Sequence, residues 1–322
     1  MPNILVIGSL NADLVVRAPR FPQPGETISG EDLQVIPGGK GANQAVAAAR
    51  LGSNVSMLGR VGKDNFGDFL LQNLKSNLVD SGLVQREDAS TGTAIIVVDS
   101  NGQNSIVLSQ GANGKVSLAD GESASFLHHD LLLLQLEIPT PTVLAAAQRA
   151  KQNNLLVILN PAPAKPLPDE LIALADFLIP NETELSLLTG MDVKDLPSAE
   201  GAARTLLQRG VKCVIVTLGS EGALIVSDSQ VTHVDAYQVN VVDTTAAGDA
   251  FIGGFATKLV ESASLLANPQ EQASALQNAV RYGCACGALA TTQFGAQPSL
   301  PTKEAVEEFM SSREGARSLR SV

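Results

Sequence analysis

The chain has no tryptophan, and aromatic residues make up only 3% of its 322 positions. Its core must therefore be built from Leu, Val, Ile and Ala, which the 44% apolar content allows. It has only three cysteines, Cys213, Cys284 and Cys286. That odd count and spacing exclude a disulfide framework, and the lone C-x-C pair lacks a second pair to complete a metal site, so all three read as small buried residues. Long Lys/Arg runs are also missing, and the formal net charge is −11. A nucleic-acid partner is thereby excluded, because backbone binding needs a basic stripe. No apolar run is long enough to span a bilayer, and MPNILVIGSL has no charged, cleavable leader pattern. The expected location is the cytoplasm, with no membrane partner.

Short apolar runs are present instead. Ile4–Ile7, Asn54–Leu58, Asp130–Leu136, Leu155–Leu159, Phe177–Ile179 and Cys213–Thr217 each read as a strand buried on both faces. Helical patterns alternate with them: Asn43–Leu51 from a possible Asn43 cap, FGDFLLQNL after a capping Asp64, Thr142–Asn153 and Ala199–Arg209. This rhythm predicts an α/β fold, a doubly wound and mainly parallel sheet with flanking helices. Two stretches break it. Ala94–Ser109 reads as a hairpin, and Leu14–Val35, with Pro19, Pro22, Pro24 and Gly25, reads as extended. Together they predict a small β lid from about 12–40 and 92–112, standing over the ends of the parallel strands. The expected organisation is a single domain over 1–312 with this lid, and a flexible polar tail at 313–322.

Three segments carry candidate chemistry. In VVDTTAAGDAFIGGF, Val239–Val242 reads as the end of a strand, and Ala250–Leu259 as an apolar helix. Between them Ala246, Ala247 and Gly248 leave consecutive N–H groups bare at a helix start, which is an anion hole. Asp249 beside it is either a first-turn acid or a general base. Pro37-Gly38-Gly39-Lys40-Gly41-Ala42-Asn43 is a second glycine-rich turn into a helix, neither a Walker A loop nor a dinucleotide fingerprint. Lys40 and Asn43 there can serve a polyhydroxy ligand. Asn11 and Asp13, two residues apart after the first strand, suit vicinal hydroxyls or form a plain Asx turn. His128, His129 and His233 match no catalytic pattern.

The ordered segments N-A-D-L, G-G-K-G-A-N-Q-A-V-A-A-A-R-L-G, L-G-R-V-G-K-D-N-F-G, N-E-T-E, T-L-G-S-E-G and D-T-T-A-A-G-D-A-F resemble the ribokinase-type family of carbohydrate kinases, over about Asn3 to Phe309. The resemblance implies a ribokinase-like fold with a β lid that often mediates homodimers. It implies transfer of phosphate from ATP to the 5-hydroxyl of D-ribose, with Mg²⁺ and an activating K⁺. Asp249 would then be the base, and Ala246, Ala247 and Gly248 the anion hole; the family commonly has Gly where Ala246 stands. Asn11, Asp13, Gly39, Lys40, Asn43 and Glu137 would contact the sugar. Asn181 and Glu184 would serve the Mg²⁺ and phosphate region, although alone they read as a helix cap with its first-turn acid. Thr217, Gly219, Ser220, Glu221 and Gly222 would bind nucleotide, although alone they read as a hairpin turn. Asp243, Thr245, Ala290, Gly295 and Ser299 would hold the monovalent cation. A related acceptor such as 2-deoxyribose or adenosine, or a non-catalytic sugar or nucleotide sensor on the same scaffold, are the competing readings.

Overall fold

A computed structural model of the chain describes residues 1–117, 119, 126–262 and 269–318. In chain order the strands and helices are β1 (Asn3–Ile7), β2 (Asn11–Arg17), β3 (Gln34–Gly38), α1 (Lys40–Arg50), β4 (Asn54–Gly62), α2 (Asn65–Ser76), β5 (Asp80–Glu87), β6 (Gly92–Val98), β7 (Asn104–Ser109), β8 (Leu131–Leu134), α3 (Thr140–Gln152), β9 (Leu156–Leu159) and α4 (Asp169–Leu174). They continue with β10 (Phe177–Leu178), α5 (Glu182–Thr189), α6 (Leu196–Gln208), β11 (Cys213–Thr217), β12 (Ala223–Ser227), β13 (Val231–Val234), α7 (Ala247–Glu261), α8 (Pro269–Ala290) and α9 (Lys303–Ser318).

The large sheet has nine strands in the order β13-β12-β11-β10-β9-β8-β1-β4-β5. The pairs from β5 across to β11 run parallel, and the β11–β12 and β12–β13 pairs are antiparallel. Alternate side chains of the buried strands feed two cores. Ile4 and Val6 pack with α1, α7 and α8. Leu5 and Ile7 pack with α3 and α6. A run buried on both faces cannot show polar alternation, which is why these strands read as unbroken apolar stretches.

The second sheet has four strands in the order β3-β2-β6-β7. Its inner face (Val15, Ile36, Ile96 and Val98) packs on Ala246, Phe294 and Ala296. This sheet is the expected lid, and β6–β7 is the expected hairpin.

Several expectations need correction. Val239–Val242 is not a strand: the Val242 and Asp243 N–H groups both donate to the Thr291 carbonyl at the end of α8, and Val241 and Val242 stay more than 60% exposed. Asn43 does not cap α1, because the helix starts three residues earlier at Lys40. The last helix runs on to Ser318, into the stretch read as tail, where the Arg313 guanidinium stacks 4.5 Å over the Phe309 ring one turn back. Residues 319–322 lie outside the described residues. Strands β5 and β13 were not anticipated; they lie at the two edges of the sheet, and their half-exposed side chains give no continuous apolar run. Among the described residues no helix is long and apolar enough to cross a membrane. All three cysteines are free and buried.

Candidate active site

Parallel strands deliver their carboxyl ends to one edge of the sheet, and the polar residues collect there. The chain leaves β1 at Ile7 and enters the lid at Asn11, so Asn11 and Asp13 stand where lid meets body. Gly39 brings the chain back at φ 90°; a Cβ there would lie 2.7 Å from the Asn11 nitrogen, so no other residue fits the turn. The next residue opens α1, which carries Lys40, Asn43 and Gln44 inward. Helix α7 lies close against α1 because Gly253 leaves room: a Cβ on it would come 2.5 Å from the Ala47 Cβ. That close approach puts Asp249, in the first turn of α7, on the side chains of α1.

Asp249 is buried and held at both oxygens. Asn43 Nδ2 donates to its Oδ2 at 2.9 Å, and Gln44 Nε2 donates to its Oδ1 at 3.0 Å. Glu137, just past β8, is the second hub: its Oε2 accepts from Ser9 Oγ at 2.5 Å, from the Lys40 N–H at 3.1 Å and from Asn11 Nδ2 at 3.4 Å. Asn113 donates to Asn11 Oδ1 at 2.7 Å and fixes which way that amide faces. Asp13 lies against the Gly38 Cα, in space a side chain there would fill.

The electrostatics follow from four acids around one base. Burial, then the charges of Glu137 and Asp249, push the Asp13 carboxyl up to about 7 against the pull of Lys40. Burial also raises Asp249, opposed by Lys40 and by the amides of Asn43 and Gln44. Burial alone would lower the Lys40 ammonium, but the summed charges of Asp249, Glu137, Glu184 and Asp13 outweigh it and raise the pKa. Lys40 therefore keeps its proton.

Two cavities meet at the start of α7. The smaller, about 200 Å³, is lined by Lys40, Asn160, Asn181, Glu184, Gly248 and Asp249, among others. The larger, about 540 Å³, shares Asn181, Thr217, Thr244 and Gly248 with it and extends past Gly219, Ser220 and Gly222 to apolar walls at Val239, Phe251 and Ala288. Helix α7 begins without a side-chain cap, from Ala246 in the left-handed region at φ 59°. The Ala247 N–H turns back to the Thr244 carbonyl at 3.3 Å, so of the three amides expected in the hole this one is already engaged. Space above the Gly248 Cα is open to 4 Å.

Asn181 and Glu184 form a reciprocal capping box at the start of α5, and burial raises the Glu184 carboxyl. Both also line the smaller cavity, so the cap and the cavity wall are the same residues. Glu221 does not face either cavity; its carbonyl lies 2.7 Å from the His233 ring nitrogen.

Asp243 gathers the loop beside α8. Its Oδ1 accepts from the Thr245 N–H and hydroxyl, at 2.9 and 2.7 Å, and its Oδ2 from the Gly295 N–H at 2.9 Å. Burial opposes ionisation there, but these bonds and the nearby Arg17 charge outweigh it, so the carboxyl lies below its usual range. Ser299 turns its hydroxyl to the Ala296 carbonyl instead, and Ala290 is buried at the end of α8.

Ser9, Gln44, Asn113, Gln135 and Asn160 are site residues that the sequence reading missed. Gln135 and Asn160 carried a signal: each is a polar residue directly after a continuous apolar strand, LLLL and LVIL. Gln44 follows Asn43 in the glycine-rich segment and had none beyond that.

Comparison with known proteins gives the same picture. The model of the pfkB family carbohydrate kinases matches residues 1–303. A ribokinase of Haemophilus influenzae is 41% identical over 310 residues, covering 95% of this chain and 98% of that one. A deoxyribokinase of Salmonella typhimurium is 40% identical over 316 residues, covering 97% and 100%. The structure of an Arabidopsis thaliana ribokinase complexed with ribose and ATP matches with a TM-score of 0.87 at 34% identity, covering 95% of this chain and 98% of that one.

Proposed function

This chain belongs to the pfkB family of carbohydrate kinases and is an ATP-dependent sugar kinase, and we propose that its acceptor is the 5-hydroxyl of D-ribose, with Asp249 as general base. The carrying observation is the place of Asp249: a buried carboxylate, oriented by two amides, where a polar cavity meets an apolar one. A sugar seated against Asp249, between the smaller cavity and the first lid strand, would meet polar groups of Asn43, Asn11 and Asp13. Asn43 Oδ1 is buried with no partner among the described residues, an acceptor for a hydroxyl. Asn11 can offer only its NH₂ group, because Asn113 occupies its oxygen. Asp13, near neutrality, can accept or donate to vicinal hydroxyls.

In the reaction the hydroxyl proton passes to Asp249 as the hydroxyl oxygen bonds to the γ-phosphorus. The bond from that phosphorus to the β–γ bridging oxygen breaks, and ADP leaves. The N–H groups from Gly248 onward and the Lys40 ammonium stabilise charge on the moving phosphoryl group. The apolar walls of the larger cavity take the nucleoside, and the turn at Gly219, Ser220 and Gly222 lets its phosphates approach the backbone.

Mg²⁺ would neutralise the nucleotide phosphates. Among the described residues no group of three or more His, Cys, Asp or Glu could cage a metal, which fits an ion held mainly by phosphate and water, near Glu184 and Asn181. The ionised Asp243, one carboxylate among the neutral groups of Thr245 and Gly295, fits a large, weakly hydrated cation such as K⁺ better than Mg²⁺.

The lid supports a homodimer. Strand β7 is exposed along its whole length, and Val35, Leu14, Ile95 and Val107 form one apolar row across the sheet, with Val107 64% exposed. A Val107→Lys variant should sediment as a monomer where the parent sediments as a dimer. A cytoplasmic location suits the acidic chain and its free cysteines.

The second reading, a kinase of 2-deoxyribose, is favoured by the deoxyribokinase relative at nearly equal identity. Measuring ADP release with ribose, 2-deoxyribose, fructose and adenosine, with and without K⁺, decides. Ribose should give the highest kcat/KM; a higher value for another acceptor would replace it.

A further inference from the structure

Behind the catalytic carboxylate lies a chain of amides, of which only Asn160 lines a cavity described above and both glutamines line neither. Gln44 and Gln135 are fully buried, and Asn160 is 7% exposed. Gln44 Nε2 donates to Asp249 Oδ1 at 3.0 Å and to Asn160 Oδ1 at 3.2 Å, while Gln44 Oε1 accepts from Gln135 Nε2 at 2.6 Å. Asn160 in turn donates to the Ile179 carbonyl at 3.0 Å, which points its oxygen at Gln44. The Gln44 amide is therefore fixed twice, from its oxygen side by Gln135 and from its nitrogen side by Asn160.

The orientation has a visible cost. Gln135 Oε1 is buried with no partner among the described residues, close enough to Gly8 that a Cβ there would collide with it. Turning Gln135 over would set that oxygen against Gln44 Oε1. Turning both glutamines would put Gln44 Oε1 against the Asp249 carboxylate and the Asn160 oxygen. Of these, only the arrangement with the orphaned oxygen presents an N–H to Asp249 without setting two oxygens against each other. A buried group left unsatisfied so that a neighbour can face a carboxylate points to function rather than packing.

We propose that Gln44 is a positioning residue for phosphoryl transfer: it pins Asp249 Oδ1, so that Oδ2, shared with Asn43, is the oxygen that takes the hydroxyl proton, and Gln135 sets the Gln44 amide for this task. This rests on Asp249 being the base. Neither glutamine lines either cavity. Their loss should therefore lower kcat and leave sugar KM nearly unchanged. Because the Gln44 bond favours the ionised carboxylate, its loss should also move the acid limb of the kcat profile to higher pH.

The test compares Gln44→Met, Gln135→Met and Asp249→Asn in the full chain, by steady-state kinetics with ribose and MgATP across pH and by thermal melting. Gln44→Met should lower kcat by about 10- to 100-fold, with sugar KM within about threefold and the acid limb displaced upward. Gln135→Met should show the same signature at about 3- to 10-fold, because the Gln44 amide then keeps only its Asn160 anchor and is held less firmly. Should Gln44→Met fail to fold, Gln135→Met decides alone. An unmoved acid limb in both variants overturns the proposal, whatever happens to kcat, since a mere packing defect would not displace it. Failure of the underlying reading looks different: Asp249→Asn would then turn over near the parent rate.

Discussion

The acceptor end and the donor end of the cleft are built on opposite plans. The acceptor end is crowded with side chains, four acids, one lysine and several amides, and Glu137 and Asp249 are each bonded to neighbouring amides there. The donor end is sparer: apart from Glu182 its polar lining is neutral, hydroxyls and amides such as Thr217, Ser220, Thr244, Asn181 and Gln238 with main chain at Gly219, Gly222 and Gly248, and its remaining walls are small or apolar. A hydroxylated ring must be told apart from other rings by the direction of its hydroxyls, which takes fixed donors and acceptors. A phosphate chain needs only N–H groups and field, and any side chain there would stand in its way. Discrimination should therefore be strict at one end and lenient at the other.

The sharpest way to break that comparison is at Asp249, where both ends need the same carboxylate. Asp249→Asn should lower kcat by about 10²–10⁴-fold with the fold intact. Thermal melting should show a variant no less stable than the parent, since it no longer buries a charge. A fall confined to sugar KM would make Asp249 a binding group of the acceptor end only.

The next largest effect is expected at Asp13. Its carboxyl is raised to about 7 in the fold, so between roughly pH 4 and 7 the native state holds a proton that the unfolded chain releases. Its contribution to stability is then greatest at low pH and is lost as pH rises through that window. Asp13→Asn should flatten this slope and stabilise the protein at pH 8 by about 1–4 kcal/mol, read from denaturant melts. The same variant should lose about 10- to 100-fold in kcat/KM for ribose, because a site built to bond a hydroxyl rejects poorly matched partners. A variant with parental stability at pH 8 would mean that Asp13 is not strained by its neighbours.

Gly248 probes the bare end. A methyl there meets nothing within 4 Å of the fold itself, so Gly248→Ala should melt within about 1 kcal/mol of the parent. The methyl enters the space assigned to phosphate, so KM for ATP should rise by about 3- to 10-fold while sugar KM holds. Equal rises in both constants would show that the ends are not separable at this residue.

The two ends also differed in how far they could be read from sequence. Side chains announce themselves: Asn11, Asp13, Lys40, Asn43 and Asp249 stood out by their own pattern, Glu137 only through the family resemblance, and the structure gathers them. Main chain does not. The Ala247 N–H is engaged by Thr244, and nothing in A-A-G says so. Val239–Val242 looked like a strand by composition, yet its backbone bonds go to the end of α8, a long-range choice invisible locally. Glu221 was included with its turn, although its side chain faces neither cavity. The parallel strands were legible because burial on both faces leaves a continuous apolar signal, whereas β5 and β13 at the edges leave none. Gln44 was missed for another reason: its role depends on Gln135 and Asn160, about 90 and 116 residues away in sequence, which only the β8 and β9 carboxyl ends bring to it.

The smallest effect is expected at Ala246, and it tests the boundary between the two plans. Ala246 sits at φ 59°, where any residue with a Cβ costs about 1 kcal/mol relative to Gly. Its methyl also packs against the inner face of the lid, with Val15 and Ile36, and losing that contact costs about 0.8 kcal/mol. Glycine further loosens the unfolded chain. These terms nearly cancel, so Ala246→Gly should melt within about 1 kcal/mol of the parent. The N–H and the helix start are unchanged, so KM for ATP should stay within about twofold. Ala246 reaches the sugar through this lid contact and through the wall of the smaller cavity, which it also lines. If ribose KM rises while ATP KM holds, the Ala246 methyl couples lid closure to the start of α7, and the two halves of the cleft answer to one another through a single side chain.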